Sequence, residues 1–481
     1  SCLVGSEMCI RDRFNLHHVT GMLMYMQREY RSSVLPERNQ GFSGRFTYDY
    51  GQRYLVELNF GYNGTERLAK KERFEFFPAV SLGWVISNEK FFEPMTKYID
   101  NLKIRGSYGL VGSDETGLSA GAQHFLYIDQ VSLNNIGFTT GVDMNYTLYG
   151  PLVTNYAVVN GGWERVKKLD IGIDLELFRQ LTITADYFNE KRYNILLHRE
   201  AWPESLGYYT AKPWSNKGKV DNWGIELSVN WRKEFTKDLY VDFRGNFTYT
   251  ENKYVNLDEP VYPYVWKTST GKPLSRTTGY IAQGLFSSQE EIDNSPTQNL
   301  GSTVKPGDIK YRDVNGDGKI DGSDQVMISP YGTTPRIQYG LGMNVTYKKF
   351  DFGVFFNGSA KRTIMISGIS PFGQSDYNVM QFIADDYWSE SNPNPNAKYP
   401  RLGLTSSQTA NNTVASTYWM RNGNFIRFKT LELGYKFKYG RVYLNGDNIA
   451  VFSPFKLWDP ELSWNAYPLQ RTFNIGVQLN F

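Results

Sequence analysis

The sequence predicts an all-β fold, a transmembrane antiparallel β-barrel, and three observations carry that reading. Apolar and polar residues alternate in runs of about ten, close to the length of a tilted strand crossing a bilayer. The composition is aromatic yet polar on average. The links between runs alternate between very short and very long.

The last run shows the alternation best. Phe473, Ile475, Val477, Leu479 and Phe481 alternate with Thr472, Asn474, Gly476, Gln478 and Asn480. Residues two apart share one face of a strand, so one face is apolar and the other polar. Residues 337–347, 350–357 and 169–177 repeat the pattern. Mid-strand charges such as Asp174, Glu176, Glu226, Asp242 and Arg244 fall on the polar face, which predicts a wet interior. Lipid is expected to meet Leu341, Met343, Phe352, Val354, Ile475, Val477 and Leu479. The lumen is expected to meet Asp174, Arg244, Asn344 and Gln478.

Aromatics make up 16% of the chain, with 34 Tyr and 30 Phe, yet the mean hydropathy is −0.47. No stretch approaches the roughly 18 consecutive apolar residues that a membrane helix needs. A barrel with one face in lipid and one in water averages out in this way. A soluble, secreted all-β protein shares the composition, but its strands are mostly about five or six residues long.

Fourteen strands are read at about 18–30, 41–50, 52–63, 76–86, 102–110, 163–178, 181–193, 218–233, 239–253, 335–348, 350–359, 423–437, 441–451 and 471–481. Short links fall at 50–52, 179–180, 234–238, 348–349 and 438–440. Long ones fall at about 111–162, 194–217, 254–334, 360–422 and 453–470. Turns at one rim and loops at the other are the outer-membrane pattern, with turns periplasmic and loops extracellular. If Phe481 ends in the periplasm, the first strand runs outward and every short turn is periplasmic.

The net charge of +3 gives no electrostatic case for a nucleic-acid partner. Both cysteines, Cys2 and Cys9, lie near the start, and a Cys-free remainder suits export through an oxidising compartment. Residues 1–13 (SCLVGSEMCIRDR) lack periodicity and a signal peptide's apolar core. They resemble a translated adapter tail, so they are expected to be a non-native leader to a fold occupying 14–481, and the reading frame to begin inside a longer protein.

The strongest local motif begins at Asp313. Asp313, Asn315, Asp317, Asp321 and Asp324 occupy positions 1, 3, 5, 9 and 12 of a calcium loop, with Gly318 at the sharp turn. Lys319 would offer its backbone carbonyl. Hard oxygens at this spacing wrap around one Ca²⁺, which predicts a structural ion. The departures from an EF-hand are Asp in place of Glu at position 12 and the lack of a flanking helix pair. Without an ion, the segment is a turn-rich acidic loop.

Enzymatic constellations are weak, and the chain is not expected to be an enzyme. His17, His18, His124 and His198 show neither metal nor triad spacing. Tyr208, Tyr209, Trp214, Tyr264 and Trp266 could stack on sugar rings or peptide side chains, and equally could pack loops or form an interfacial girdle.

Several segments resemble SusC/RagA-type TonB-dependent outer-membrane transporters. They are 306–321 (PGDIKYRDVNGDGKID), 38–49 (RNQGFSGRFTYD), 77–84 (FPAVSLGW), 102–109 (LKIRGSYG) and 471–476 (RTFNIG). They stand in the family's order, and the resemblance covers essentially all of 14–481. It implies a 22-stranded barrel with a plugged lumen, of which this chain would hold the last fourteen strands. It also implies a SusD-like lipoprotein lid, energy from the TonB complex, and glycan or peptide oligomers as cargo. The plug, the TonB box and the early strands have no counterpart in this sequence. The expected role is active nutrient import across the outer membrane. A passive porin and a secreted calcium-binding adhesin are the alternatives.

Overall fold

Each alternating run forms a strand, because extended backbone sorts such residues onto two uniform faces. The structure, a computed structural model, describes residues 2–14 (backbone only), 16–31, 36–115, 125–135, 137–158, 161–203, 205, 212–366, 379–463 and 466–480.

The principal sheet has fifteen strands, hydrogen-bonded in chain order. They are β1 (Cys2–Phe14), β2 (His17–Tyr30), β3 (Glu37–Tyr50), β4 (Tyr54–Thr65), β5 (Phe74–Val85), β6 (Ile99–Ser113), β7 (Glu164–Leu177) and β8 (Leu181–His198). The series continues with β9 (Trp214–Thr236), β10 (Leu239–Asn256), β11 (Ile337–Tyr347), β12 (Phe350–Ala360), β13 (Phe425–Phe437), β14 (Gly440–Phe452) and β15 (Thr472–Leu479). No helix among the described residues is long and apolar enough to cross a membrane.

All fourteen strands read from alternation are present, within a few residues at each end. Phe481, the expected end of the last one, lies outside the described residues. One further strand precedes them. The segment 1–13, expected to stand apart from the fold, largely coincides with β1, which pairs with β2 from Cys2↔Glu29 to Phe14↔His17. A sheet edge presents a row of free N–H and C=O groups, and an adjoining segment can pair with it through backbone alone, without alternation.

Two compact units divide the chain, residues 1–230 with 250–261, and 231–249 with 262–481. In the first, β7 is bonded on both sides, to β6 from Glu164↔Ser113 and to β8 from Arg165↔Tyr193. Loop 114–163 carries two small hairpins, 130–132 with 152–155 and 137–140 with 146–149. At its base Leu68, Phe77 and Trp163 bury one another, and the Trp163 indole N–H donates to Arg73 O at 3.0 Å.

In the second unit, β10 pairs with β11 from Leu239↔Tyr347 to Tyr249↔Ile337, and β11 with β12 from Ile337↔Ala360 to Tyr347↔Phe350. This register stacks Phe243, Met343 and Val354 in one row and Asp242, Asn344 and Gly353 in the next, on opposite faces. On the apolar face the residues are half-buried or exposed, with Leu341 46% accessible and Ile475 80%. Apolar rows open to the surroundings on consecutive strands are what lipid covers.

On the polar face, glycines leave room for arginines to cross a strand. Gly172 stands opposite both Arg105 and Asp186. A Cβ there would collide with both side chains. Arg105 reaches over it to Asp186 at 2.6 Å and also meets Asp170 and Asp174, each at 3.2 Å. Gly434 does the same in the second unit, where Arg441 reaches over it to Asp351 and also binds Glu432 on the same strand as the glycine. Asp174, expected to face the lumen, is part of the first of these networks.

The two faces of β11 therefore respond differently to charge. Met343→Arg is expected to destabilise the folded protein in bilayers by about 2–4 kcal/mol, and Asn344→Arg by much less. Equal losses in denaturant titrations of the two variants would contradict the assignment of faces.

Candidate functional site

The best-packed region of the second unit lies in its loops, not its strands. Segments 262–336, 361–366, 379–424 and 453–463 share one apolar core. Its members include Leu285, Ile309, Tyr311, Ile320, Ile366, Ile383, Trp388, Tyr399, Trp419 and Phe455. These long links are thus a folded body at the loop end of the strands, although their sequence reads as polar and irregular.

A buried polar network closes the body. Asp308 is fully buried and receives the Arg401 guanidinium through two bonds of 2.9 and 3.0 Å. Asn412 donates to Asp308 at 2.8 Å and accepts from Ile309 N at 2.9 Å. Asn411 donates to Ile309 O at 2.9 Å and accepts from Gln298 at 2.7 Å. Burial raises the Tyr311 hydroxyl far above its usual range, so it remains protonated and donates to Asn411 O at 2.9 Å. A short helix, Ser406–Thr413, presents both asparagines. Loop 453–471 is tied down separately: Arg427, 1% accessible, binds both oxygens of Asp459 at 2.7 and 2.8 Å and Glu461 at 2.7 Å.

Asp308, Ile309 and Tyr311 lie in the family-like segment 306–321, but nothing in the sequence marked Gln298, Arg401, Asn411, Asn412 or Arg427 as buried. Asn411 and Asn412 sit in a Pro- and Asn-rich stretch that looks like a solvated loop. The available signal was the segment 306–311 (PGDIKY), an acidic residue followed by alternating large apolar ones, which is how a buried short strand begins.

The acidic motif folds onto the same body. Gly316 N and Gly318 N donate to the Asp313 carboxylate at 2.7 and 2.9 Å. Asp317 N donates to Asn315, and Lys319 N to Asp317, at 3.1 and 2.9 Å. Gly316 and Gly318 take the left-handed conformation that these tight turns need (φ 74° and 78°). The amide and hydroxyl of Ser323 hold the Asp321 carboxyl below its usual range. Asp324 is fully buried, and its oxygens accept from Val314 N at 2.8 Å, Asn315 N at 3.4 Å and Asp321 N at 2.9 Å. It is the clasp of the loop.

All these side-chain donors to a metal would be hard oxygens, the chemistry Ca²⁺ takes. All five accept from backbone amides; Asp317 is exposed and Asp313, Asn315 and Asp321 are half-buried, whereas Asp324 is fully buried. Among the described residues no three His, Cys, Asp or Glu side chains converge closely enough to grip a metal.

Two of the aromatic candidates are brought to this loop. The rings of Tyr264 and Trp266 stack at 4.7 Å and 11°. Asn315 Nδ2 donates to the Tyr264 hydroxyl at 3.1 Å, and the Trp266 indole N–H to Ser323 O at 2.8 Å. Their polar atoms brace the acidic loop. Trp214, in the first unit, packs on His198 with centroids 3.6 Å apart. Tyr208, Tyr209 and His124 lie outside the described residues.

Residues 20–449 match the family model described as TonB dependent receptor-like, beta-barrel. The chain belongs to that family. As a TonB-dependent receptor barrel it is an outer-membrane protein whose strands cross the bilayer, which sets aside the secreted reading.

Related receptors extend well beyond it. TonB-dependent receptor P3 of Formosa agariphila is 25% identical over 518 residues, covering 99% of this chain and 49% of that protein. TonB-dependent receptor SusC of Bacteroides thetaiotaomicron is 27% identical over 469 residues, covering 92% and 43%. The chain thus spans about half the length of the curated relatives it matches. Its fold is similar to that of the solved RagAB peptide transporter, with a TM-score of 0.71 at 18% identity, covering 100% of this chain and 55% of that one.

The receptor's loop body depends on its buried ion pair. Arg401→Met leaves Asp308 charged and without its cation, a change that costs about 3–5 kcal/mol when the site is buried. Limited proteolysis of the assembled protein is expected to open new cuts within 262–336 and 379–424 while heat-modifiable migration of the barrel persists. An unchanged digestion pattern would contradict the role given to this pair.

Proposed function

We propose that the full-length receptor carrying this chain imports oligomeric nutrients, glycans or peptides, across the outer membrane. Import is driven by the TonB complex, and a SusD-like lipoprotein works over the outer mouth. The observation that carries this reading is the folded loop body at the loop end of a TonB-dependent receptor's strands. A rigid, polar and aromatic surface there offers a fixed face to a lid and to cargo, whereas mobile loops would not. The likeness to SusC and to the RagAB peptide transporter supports the same role, with RagAB favouring peptides and SusC leaving both classes open.

The decisive comparison uses cells with the full-length gene intact or deleted, fed fluorescent oligopeptides or oligosaccharides. Uptake of one class is expected to fall on deletion, and to fall equally when TonB is removed. Uptake that survives either loss would overturn the proposal.

The acidic loop is further proposed to hold Ca²⁺ through Asp313, Asn315, Asp317, Asp321 and the carbonyl of Lys319, with Asp324 either joining them or clasping the loop from behind. The ion would neutralise carboxylates that otherwise repel, and so stiffen the loop against Tyr264 and Trp266. Calorimetry on the full-length protein is expected to show weaker calcium binding for Asp317→Ala, with the barrel still folded. Undiminished affinity would place the ion elsewhere or nowhere.

A further inference from the structure

The lipid-facing side of β7 and β8 carries a pair of charges that no carboxylate answers among the described residues. The outward rows run Leu177↔Leu181, Leu175↔Ile183, Ile173↔Ala185, Ile171↔Tyr187 and Leu169↔Asn189, and the next is Lys167↔Lys191. Like charges directly opposite on neighbouring strands destabilise a sheet unless something neutralises them. Both lysines are exposed, and among the described residues neither forms an ion pair. Lys167 Nζ lies 5.5 Å over the Tyr193 ring.

The cations around the pair, on either face, are arranged differently. Lys168, one residue on, has its carboxylate, Glu190, at 2.8 Å. Arg165, one outward row beyond Lys167, is matched by Glu75 at 2.7 Å. Lys217, on β9, is matched by Asp258 at 3.2 Å. β9 also brings Lys219 and Asp221 to the outward face, in phase with Trp223, Ile225 and Leu227. Counting Lys167, Lys191, Lys219 and Asp221, the outward group keeps an excess of positive charge.

Height identifies the missing counter-charge. Leu177 adjoins the short turn at 178–180, the periplasmic end of these strands. From there to Lys167 the strand rises about 33 Å along its length, or about 25 Å across the membrane at a tilt near 40°. That matches the roughly 25 Å apolar band of an outer-membrane barrel. The lysine pair therefore stands where acyl chains end and headgroups begin, in the outer leaflet.

We propose that Lys167 and Lys191, with Lys219 on the neighbouring strand, bind the phosphate of an outer-leaflet glycolipid whose acyl chains lie along Leu169, Ile171 and Tyr187. The bound phosphate removes the repulsion between the paired lysines, and the apolar rows below hold the chains. Lipid and protein thus complete one another at this edge, independently of what the receptor imports.

The test uses the full-length, natively assembled receptor in nanodiscs of phosphatidylcholine doped with lipid A, either phosphorylated or enzymatically dephosphorylated. Native mass spectrometry counts the lipid A molecules retained. The wild type is expected to retain the phosphorylated form preferentially. The double variant Lys167→Gln, Lys191→Gln is expected to lose that preference by about tenfold or more, since each lysine near an anionic surface contributes on the order of 1 kcal/mol. Lys191→Glu supplies the carboxylate internally, so it is expected to abolish the preference while keeping or raising thermal stability in detergent. Two results would overturn the proposal: equal retention of both lipids by the wild type, or an undiminished preference in the double variant. Stabilisation of the detergent-solubilised wild type by inorganic phosphate alone, as strong as by lipid A, would mark a free-anion site and overturn the lipid assignment.

Discussion

Within a bilayer no water is present to satisfy a backbone amide or carbonyl, so every such group in the spanning part must find a partner in the protein. In a strand the partner lies on the neighbouring strand, and the pairing is laid down here in unbroken sequential order. That single requirement fixes much else. Because neighbours in sequence are neighbours in space, links at one end can shrink to two or three residues, as at 348–349. Because the strand is extended, its side chains divide between lipid and lumen. The alternating code follows from the backbone's need, and the lysines at the outer boundary mark where the apolar side of that code gives way to headgroups.

The inward face solves a second problem. Charges such as Arg105 and Arg441 are tolerable beside a membrane only when answered, and the answering carboxylates stand up to two strands away. Glycine at 172 and at 434 opens the path between them. These networks give the sheet a polar face that is ordered, not merely wet. Partly exposed pairs of this kind contribute little individually to stability. Their importance lies in presenting fixed charge to whatever occupies the lumen.

What was legible in the sequence was what the backbone dictates locally. Period two locates strands because each residue reports its own face, and the turn-to-loop alternation orients them. The loop body was not legible, because its core joins residues about a hundred positions apart: Ile309 meets Asn412, and Asp308 meets Arg401. Polarity misled as well, since Asn411 and Asn412 look solvated and are fully buried, satisfied by partners that local sequence does not name. The acidic motif was found by spacing. Spacing alone did not reveal that Asp324 turns inward as a clasp, or that Tyr264 and Trp266 lean on the loop. Strand β1 was missed because edge pairing needs no alternation.

The central claim is that one face of each strand meets lipid and the other meets a polar lumen, and it can be read residue by residue. Beyond Cys9 the chain contains no cysteine, so once Cys2, Cys9 and any other native cysteine of the full-length protein are replaced, single cysteines at successive positions from 337 to 347 can each carry a spin label in bilayers. Collision rates with oxygen, which partitions into lipid, and with a water-soluble nickel chelate should then alternate with a period of two, oxygen prevailing at 339, 341, 343 and 345. Profiles that vary smoothly along the strand, or that alternate in the opposite phase, would contradict the account.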